Sequence, residues 1–418
     1  MKGKRLLVID LCLILVLAAL SFVACAKPAL PPAPPPAPLK IGAVFPMTGS
    51  GAHMGTEGDR GVKVWIEDLN KKGGINGHLI EYSLIDSESD ATKATVAMKK
   101  LIEVDKVHAV LGSFASGEAL AMQPIANEWK IVHFACCGAG VYDEIPAIWR
   151  WGFRLNLETQ ALCDQAFVMA KGKYGATKIG HLYENNAYGK RFVPMYANSC
   201  KKYGITMVVE ESFESGGTEF SAVIGKVRAK APDLLLMTGN DISGGLVIKQ
   251  IREMGWNVPI CTIVPLLTPD IVKAVGTYYY MEPGVWATTA SVDAWEQIPK
   301  DAPERVEIES VATLFKERYG ENISSMSSIP MNALKAVTLA TKKALDADPK
   351  FLDKDINIIR QTIRDNLETL DPFWTAMGQY QPTKDWHNGN VYGTGMVMVQ
   401  FDPTLKKMVA YPQYKATK

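Results

Sequence analysis

Lys40-Ile41-Gly42-Ala43-Val44-Phe45-Pro46-Met47-Thr48-Gly49-Ser50-Gly51 sets a short apolar run against a turn rich in Gly and Pro. A run of that length bounded by turn residues reads as a buried strand, Lys40–Phe45. A helix comes next: from Gly55 to Asn70 the residues Val62, Val64, Ile66 and Leu69 form an apolar stripe near the helical period, and Gly-rich Lys71–Gly77 stops it. The alternation continues with a strand over His78–Asp86, a helix over Ala91–Glu103, a strand over Val107–Gly112, a helix over Ser116–Trp129 and a strand over Ile131–Ala135. It then restarts. Helices are expected over Thr159–Tyr174, Gly189–Tyr203, Glu219–Lys230 and Ser243–Gly255, and strands over Lys178–Tyr183, Thr206–Phe213, Leu234–Thr238, Ile260–Val264 and Val285–Ala290. Helices over Val306–Tyr319, Met331–Asp346 and Ile356–Asn366 precede a hairpin-like pair, Met396–Asp402 and Met408–Tyr411. Helices alternating with short apolar strands predict a mostly parallel sheet covered on both faces. Two such runs predict an α/β fold of two doubly wound parallel-sheet lobes.

The chain has 418 residues, enough for two or three domains at roughly 100–200 residues each. Hydrophobic residues make up 47% and charged residues 21%, which is globular usage and excludes extensive disorder. Lys and Arg number 45 against 44 Asp and Glu, a net charge of +1, so no bulk cationic field exists to supply nucleic-acid affinity. Lys2, Lys4 and Arg5 precede an apolar run, Leu6–Val23, broken only by Asp10 and Ser21. This is the pattern of an export signal over residues 1–24, although an uncleaved anchor has nearly the same length, about 20 residues. Phe22-Val23-Ala24-Cys25 is similar to a lipobox with Phe22 in place of the usual leucine, which makes Cys25 the lipidated first residue. Ala24-Cys25-Ala26 also fits ordinary signal cleavage. Residues 25–38 form a stalk that is nearly all Pro and Ala from Ala26 onward. Such a segment extends as polyproline II over roughly 40 Å at about 3.1 Å per residue.

Of seven cysteines, Cys12 lies in the signal and Cys25 at the lipid site, leaving Cys136, Cys137, Cys163, Cys200 and Cys261. No Cys-x-x-Cys or His-x-His spacing suggests a metal site. Cys163 and Cys200 lie on expected helices of one region and form a candidate disulfide, with small buried hydrophobes as the plainer reading. The six histidines are scattered. Gly-x-Ser-x-Gly, the phosphate-loop motif and His-Glu-x-x-His are all missing from the sequence, so no catalytic residue, metal or cofactor is expected.

Two doubly wound lobes have a common consequence. Ligands bind at the carboxyl ends of parallel strands, where helix N-termini present free N–H groups, and facing lobes close on them by a hinge. In Gly112-Ser113-Phe114-Ala115-Ser116 a strand ends and a helix begins with Ser116 at or near the N-cap. A carboxylate is favoured there; plain capping, worth about 1 kcal/mol, is the alternative.

Ile41–Gly49, Asn70–Gly77, Ala109–Ser116, Gly152-Phe153-Arg154 and Ala187-Tyr188-Gly189 together resemble the branched-chain amino acid type of periplasmic binding protein, from Lys40 to about Tyr411. The resemblance implies an extracytoplasmic solute receptor of an ABC importer and a type I fold with three crossovers between lobes. It divides the chain into a first lobe of 39–156 plus about 284–380 and a second of 157–283 plus about 381–418. A lipid-anchored monomer on a bacterial or archaeal membrane, docking on an ABC permease and binding no nucleic acid, is the expectation. A sensor domain for a signalling partner is the alternative, and an enzyme is disfavoured.

The resemblance also implies site residues. Ser116 matches the serine that holds a ligand carboxylate, with Ser113, Phe114 and Ala115 as neighbours. Cys137, Gly138 and Ala139 match a strand-end segment whose backbone meets the ligand, here without the usual hydroxyl. His53 and Met54 match a position where a large side chain overlies the pocket, with a solvated loop as the alternative. Tyr188 matches a pocket tyrosine from the second lobe, offering an apolar face and one hydroxyl. Val264 stands where amino-acid receptors carry an acidic residue for the α-ammonium, and no Asp or Glu lies between Glu253 and Asp270. Asn240 and Asp241 occupy a neighbouring loop, where Asp241 is a candidate substitute carboxylate. Without it, a ligand lacking an α-ammonium is expected, either a carboxylate with an apolar or aromatic body or an amide.

Overall fold

The computed structural model describes residues 35–137, 150–239, 241–263, 284–402, 404 and 407–416, and for 241, 242, 401 and 407 the backbone alone. The expected signal, Cys25 and most of the stalk lie outside them. From Pro38 onward the chain forms one unit.

The first sheet is β1 (Leu39–Phe45), β2 (Ile80–Asp86), β3 (Ala109–Gly112), β4 (Val132–Ala135) and β5 (Gly152–Arg154), in the order β2-β1-β3-β4-β5 and parallel throughout. Ile41 stands opposite Tyr82 on one side and Ala109 on the other. Helices α1 (Ala52–Lys71), α2 (Ala91–Glu103) and α3 (Ser116–Glu128) connect its strands. Every residue of β3 and β4 is buried, as both-faced burial requires. No pattern in the sequence predicts β5, because three residues are too few to show a period.

The second lobe contains α4 (Thr159–Tyr174), β6 (Lys178–Glu184), α5 (Ala187–Tyr203), β7 (Thr206–Phe213), α6 (Ser221–Arg228), β8 (Leu234–Thr238), α7 (Asp241–Glu253), β9 (Ile260–Ile263) and β10 (Val285–Ala290). Its sheet runs β14-β13-β10-β9-β8-β6-β7, where β13 (Met396–Asp402) and β14 (Lys407–Ala410) form the antiparallel edge. Leu182, Met237, Ile248, Ile260 and Val399 are among its core residues. Helices α8 (Pro303–Tyr319), α9 (Ser325–Ala347) and α10 (Ile356–Leu367) come next, then a small hairpin of β11 (Phe373–Thr375) and β12 (Gly378–Tyr380). Of these, α9 lies along α1 of the first lobe. It starts six residues before the expected Met331 because Ser324 caps it, accepting from the Ser327 N–H at 3.2 Å, so Pro330 falls inside the helix.

Two expected boundaries need correction. The boundary near 284 places β10 in the first lobe, but this strand pairs in parallel with β9, Val285 opposite Ile260, and so belongs to the second sheet. The boundary near 381 places residues 381–390 in the second lobe, but His387 lies against β5. Its ring stacks on Phe153 at 4.1 Å and its Nδ1 meets the Gly152 carbonyl at 2.9 Å. The chain therefore crosses between lobes at 155–158, after β10, and just before β13.

These crossovers are tied together. Arg154 is fully buried. Its Nε donates to Asn388 Oδ1 at 3.2 Å, and its Nη2 to the Leu157 carbonyl at 3.4 Å and Thr159 Oγ1 at 3.3 Å. The Ser291 N–H donates to the Gly395 carbonyl at 2.8 Å, joining the other two. Asp293, just past β10, accepts from the Ser325 N–H at 2.7 Å and so links a crossover to the start of α9.

The candidate bridge between Cys163 and Cys200 does not form, in line with the plainer reading of both as unbridged residues. Both are free thiols, Cys163 fully buried near Cys261 and Cys200 half-buried. Among the described residues no helix is long and apolar enough to cross a membrane.

Candidate functional site

In the first sheet the strand order reverses between β1 and β3, and in the second between β6 and β8. At such a switch point the loops leave the strand ends in opposite directions and open a crevice. Both crevices face one cavity of about 620 Å³ between the lobes. Gly51 and Phe114–Glu118 line it from the first switch point, and Glu184, Asn186–Tyr188 and Ser243 from the second. Arg154, Asn156, Leu157 and Ala290 line it at the crossovers, and Met377 from the turn between β11 and β12. The volume is that of a small-molecule pocket.

Six helices of the described residues, α1, α3, α4, α5, α7 and α9, bring their first turns to this cavity. Helix starts carry unsatisfied N–H groups and a partial positive charge, so the cavity favours electronegative atoms. Three of the six are capped by their own chain: Glu158 accepts from Gln160 and Ala161, Asn186 from Gly189, and Ser324 from Ser327. By contrast, the N-cap of α3 is Ala115, which supplies no side-chain cap. Ser116 is therefore the first residue of the helix and not its N-cap, and it lines the cavity.

The other expected residues divide into groups. Phe114, Ala115, Cys137, Met54 and Tyr188 line the same cavity as Ser116. Phe114 leans on Phe45 at 5.3 Å, and Tyr188 meets Phe192 edge-on at 5.2 Å, so each ring is braced by a second ring. Cys136 lines the cavity too, and burial pushes its thiol well above the usual range, which keeps it protonated and unreactive. The Cys137 carbonyl accepts from Asn156 Nδ2 at 3.5 Å. Ser113 is fully buried and does not line the cavity. His53 sits in the first turn of α1, as Met54 does, but only Met54 lines the cavity, so neither is on a solvated loop. Gly138, Ala139, Asn240, Val264 and the side chain of Asp241 lie outside the described residues.

Two buried carboxyls in the lining escaped sequence reasoning. Glu184, the last residue of β6, accepts from Ser215 Oγ at 2.5 Å. Glu118, third in α3, is 3% exposed, and burial raises its pKa, the Ser87 and Ser113 hydroxyls opposing the shift. Their positions, at a strand end and in a helix first turn beside expected site segments, were the only available signal. The remaining walls are largely apolar, with Leu162, Leu246, Met326, Ile329 and Met377 among them. Among the described residues no group of three or more His, Cys, Asp or Glu side chains is arranged to hold a metal.

A family profile described as periplasmic binding protein matches residues 38–404. A Leu/Ile/Val-binding protein homolog of Brucella abortus is 25% identical over 399 residues, covering 92% of this chain and 94% of that protein. An extracellular ligand-binding receptor of Rhodopseudomonas palustris superposes with a TM-score of 0.79 at 22% identity, covering 90% of this chain and all of that one. The branched-chain amino acid transporter substrate-binding protein of Streptococcus pneumoniae, solved with isoleucine, gives 0.73 at 21% identity over 90% of this chain and all of that one. The fold they share is that of type I periplasmic binding proteins.

Proposed function

We propose, since the chain belongs to the periplasmic binding protein family, that it is the solute-binding lipoprotein of an ABC importer. It captures a small amino acid-like, carboxylate or amide ligand by hinge closure and delivers it to a membrane permease. The supporting observation is the cavity of about 620 Å³, walled by both lobes at their switch points and floored by the crossovers. Such placement makes closure and binding one event, because rotation about the crossovers brings the two walls onto the same ligand. The uncapped start of α3, with Ser116, receives an electronegative group of the ligand, and Phe114, Met54 and Tyr188 cover its apolar body. Nothing in this role makes or breaks a covalent bond.

A binding protein gains thermal stability from its ligand by mass action, about 2.7 kcal/mol at a hundredfold excess over Kd. Melting the purified chain against amino acids, small carboxylates and amides is expected to single out one chemical class. Silence across all three classes removes the receptor reading. Ser116→Ala weakens binding of an anionic ligand by roughly 1 kcal/mol or more; unchanged affinity takes Ser116 out of the site. Cys25 anchors the protein through its lipid, so Cys25→Ser moves it from the membrane fraction to the soluble one. Continued membrane association of that variant argues instead for an uncleaved helix.

A further inference from the structure

The isoleucine-bound neighbour and the Leu/Ile/Val-binding homolog raise the question of where this chain would hold an ammonium, since the resemblance implies an acid at position 264 and the sequence has none between Glu253 and Asp270. The structure offers a different carboxyl. Glu118 sits two residues after Ser116 in the first turn of α3, lines the cavity, and is only 3% exposed. Both its oxygens are buried without a hydrogen bond. The Ser87 and Ser113 hydroxyls stand close enough to favour its ionised form, but neither meets hydrogen-bond geometry, and both are themselves buried and unbonded. The charged groups that bear on Glu118 are Asp86 and Asp90, both acidic. Among the described lining residues the only cationic side chain is Arg154, which is engaged with Asn388, Leu157 and Thr159 at the crossovers.

A buried carboxyl without a donor costs stability, and a helix start alone explains only part of its retention, since an exposed acid there serves equally well. We propose that Glu118 is a specificity-determining residue that pairs with the α-ammonium of a zwitterionic amino acid whose carboxylate lies on the Ser116 end of the same helix turn. This rests on the solute-receptor reading and names its ligand class. The two charged groups of an α-amino acid sit on one carbon, so one helix turn can meet both. The carboxylate takes the uncapped N–H groups, and the ammonium supplies donors to Glu118 and neutralises an acidic cluster. The second lobe then needs no acid after β9; it contributes aromatic and apolar cover through Tyr188, Phe192 and Leu246. A simple carboxylate would instead bring a second negative charge beside Glu118 without a cation between them, which disfavours it.

The test measures affinity of the full chain and of Glu118→Gln by titration calorimetry, using matched pairs: L-leucine with 4-methylpentanoate, and L-phenylalanine with 3-phenylpropanoate. The wild type is expected to bind at least one amino acid and to prefer it over its des-amino partner by about tenfold or more. Glu118→Gln should lose about tenfold or more for that amino acid, while the des-amino acid is unchanged or binds better. Asp241→Asn should keep the preference. Equal losses for both members of a pair, an unchanged preference in Glu118→Gln, or loss of preference in Asp241→Asn would each overturn the assignment. Binding of des-amino acids or amides alone by the wild type also overturns it while leaving the receptor reading intact. Only silence toward every class brings down both.

Discussion

Gly61→Val is expected to destabilise the first lobe by about 3 kcal/mol or more, at or beyond the usual upper end for a core overpacking change. Helices α1 and α9 cross with their backbones nearly touching at this point. A Cβ built on Gly61 would lie 2.0 Å from the Ser327 carbonyl oxygen and 2.7 Å from its carbon. Those are backbone atoms, so no rotamer change relieves the clash and the helices must separate. The same contact closes the network in which Glu57 accepts from Ser327 Oγ at 2.7 Å, so separation also leaves a buried carboxylate short of donors. Neighbouring Gly55 and Gly58 lie at helical spacing, their added Cβ atoms meeting the Pro46 carbonyl at 2.1 Å and the Phe114 ring at 2.5 Å. Because α1 and Phe114 line the cleft, the loss of stability should be accompanied by loss of ligand binding. Gly225→Ala is the control: nothing lies within 4 Å of its added Cβ inside α6, and the substitution should stabilise by up to about 1 kcal/mol. A urea midpoint for Gly61→Val equal to that of the wild type contradicts the crossing geometry.

Acidification is the second large effect. His108 and His133 are buried, and burial lowers the pKa of each to about 4 from an ordinary 6.5, with Arg360 and Lys40 adding to the effect at His108. The Nδ1 of His108 accepts from the Lys40 N–H of β1 at 3.1 Å, which requires the neutral ring. The neutral His133 ring donates from Nε2 to the Gly112 carbonyl, and its Nδ1 lies 2.9 Å from the end of the Gln123 side-chain amide, whose NH2 group is the partner a ring without a second proton requires. Between about pH 4 and 6.5 the unfolded chain binds protons that the folded chain does not. Stability therefore rises with pH across that window and falls on acidification, by roughly 3 kcal/mol for each group once pH 4 is reached. The loss from these two groups is complete about one pH unit lower. Thermal melts from pH 7.5 to 4 should show the decline, to which His181, its pKa also lowered by burial, adds, and His108→Asn should remove its own share of roughly 3 kcal/mol at the cost of some stability at neutral pH. A melting temperature independent of pH down to 4 rules out the neutral, buried state of both rings.

The segments containing these residues differ in how far they could be read. The strand Lys40–Phe45 was recognisable from five apolar or small residues, Ile41–Phe45, against a turn, because burial on both faces favours such a composition. The strand β5 was not, since Gly152–Arg154 is too short to carry a period and is defined by its pairing with β4. Ser116 was legible as a helix start because strand, small residues and helix follow one another there. Its exact place was not, since whether Ala115 or Ser116 caps depends on backbone angles. Met54 and Tyr188 were named through the resemblance, and both line the cavity; His53, adjacent to Met54, does not. Glu118 was invisible in sequence, where an acid in the first turn of a helix is commonplace.

The sequence by itself determined the alternation of strand and helix, and with it two doubly wound lobes, because the spacing of apolar residues is a local property that each element must satisfy alone. The tertiary structure decided which sheet receives β10, where residues 381–390 lie, and which side chains meet across the cleft. Those outcomes depend on contacts between residues far apart in the chain, Arg154 with Asn388 and Gly61 with Ser327 among them, and no local pattern encodes them.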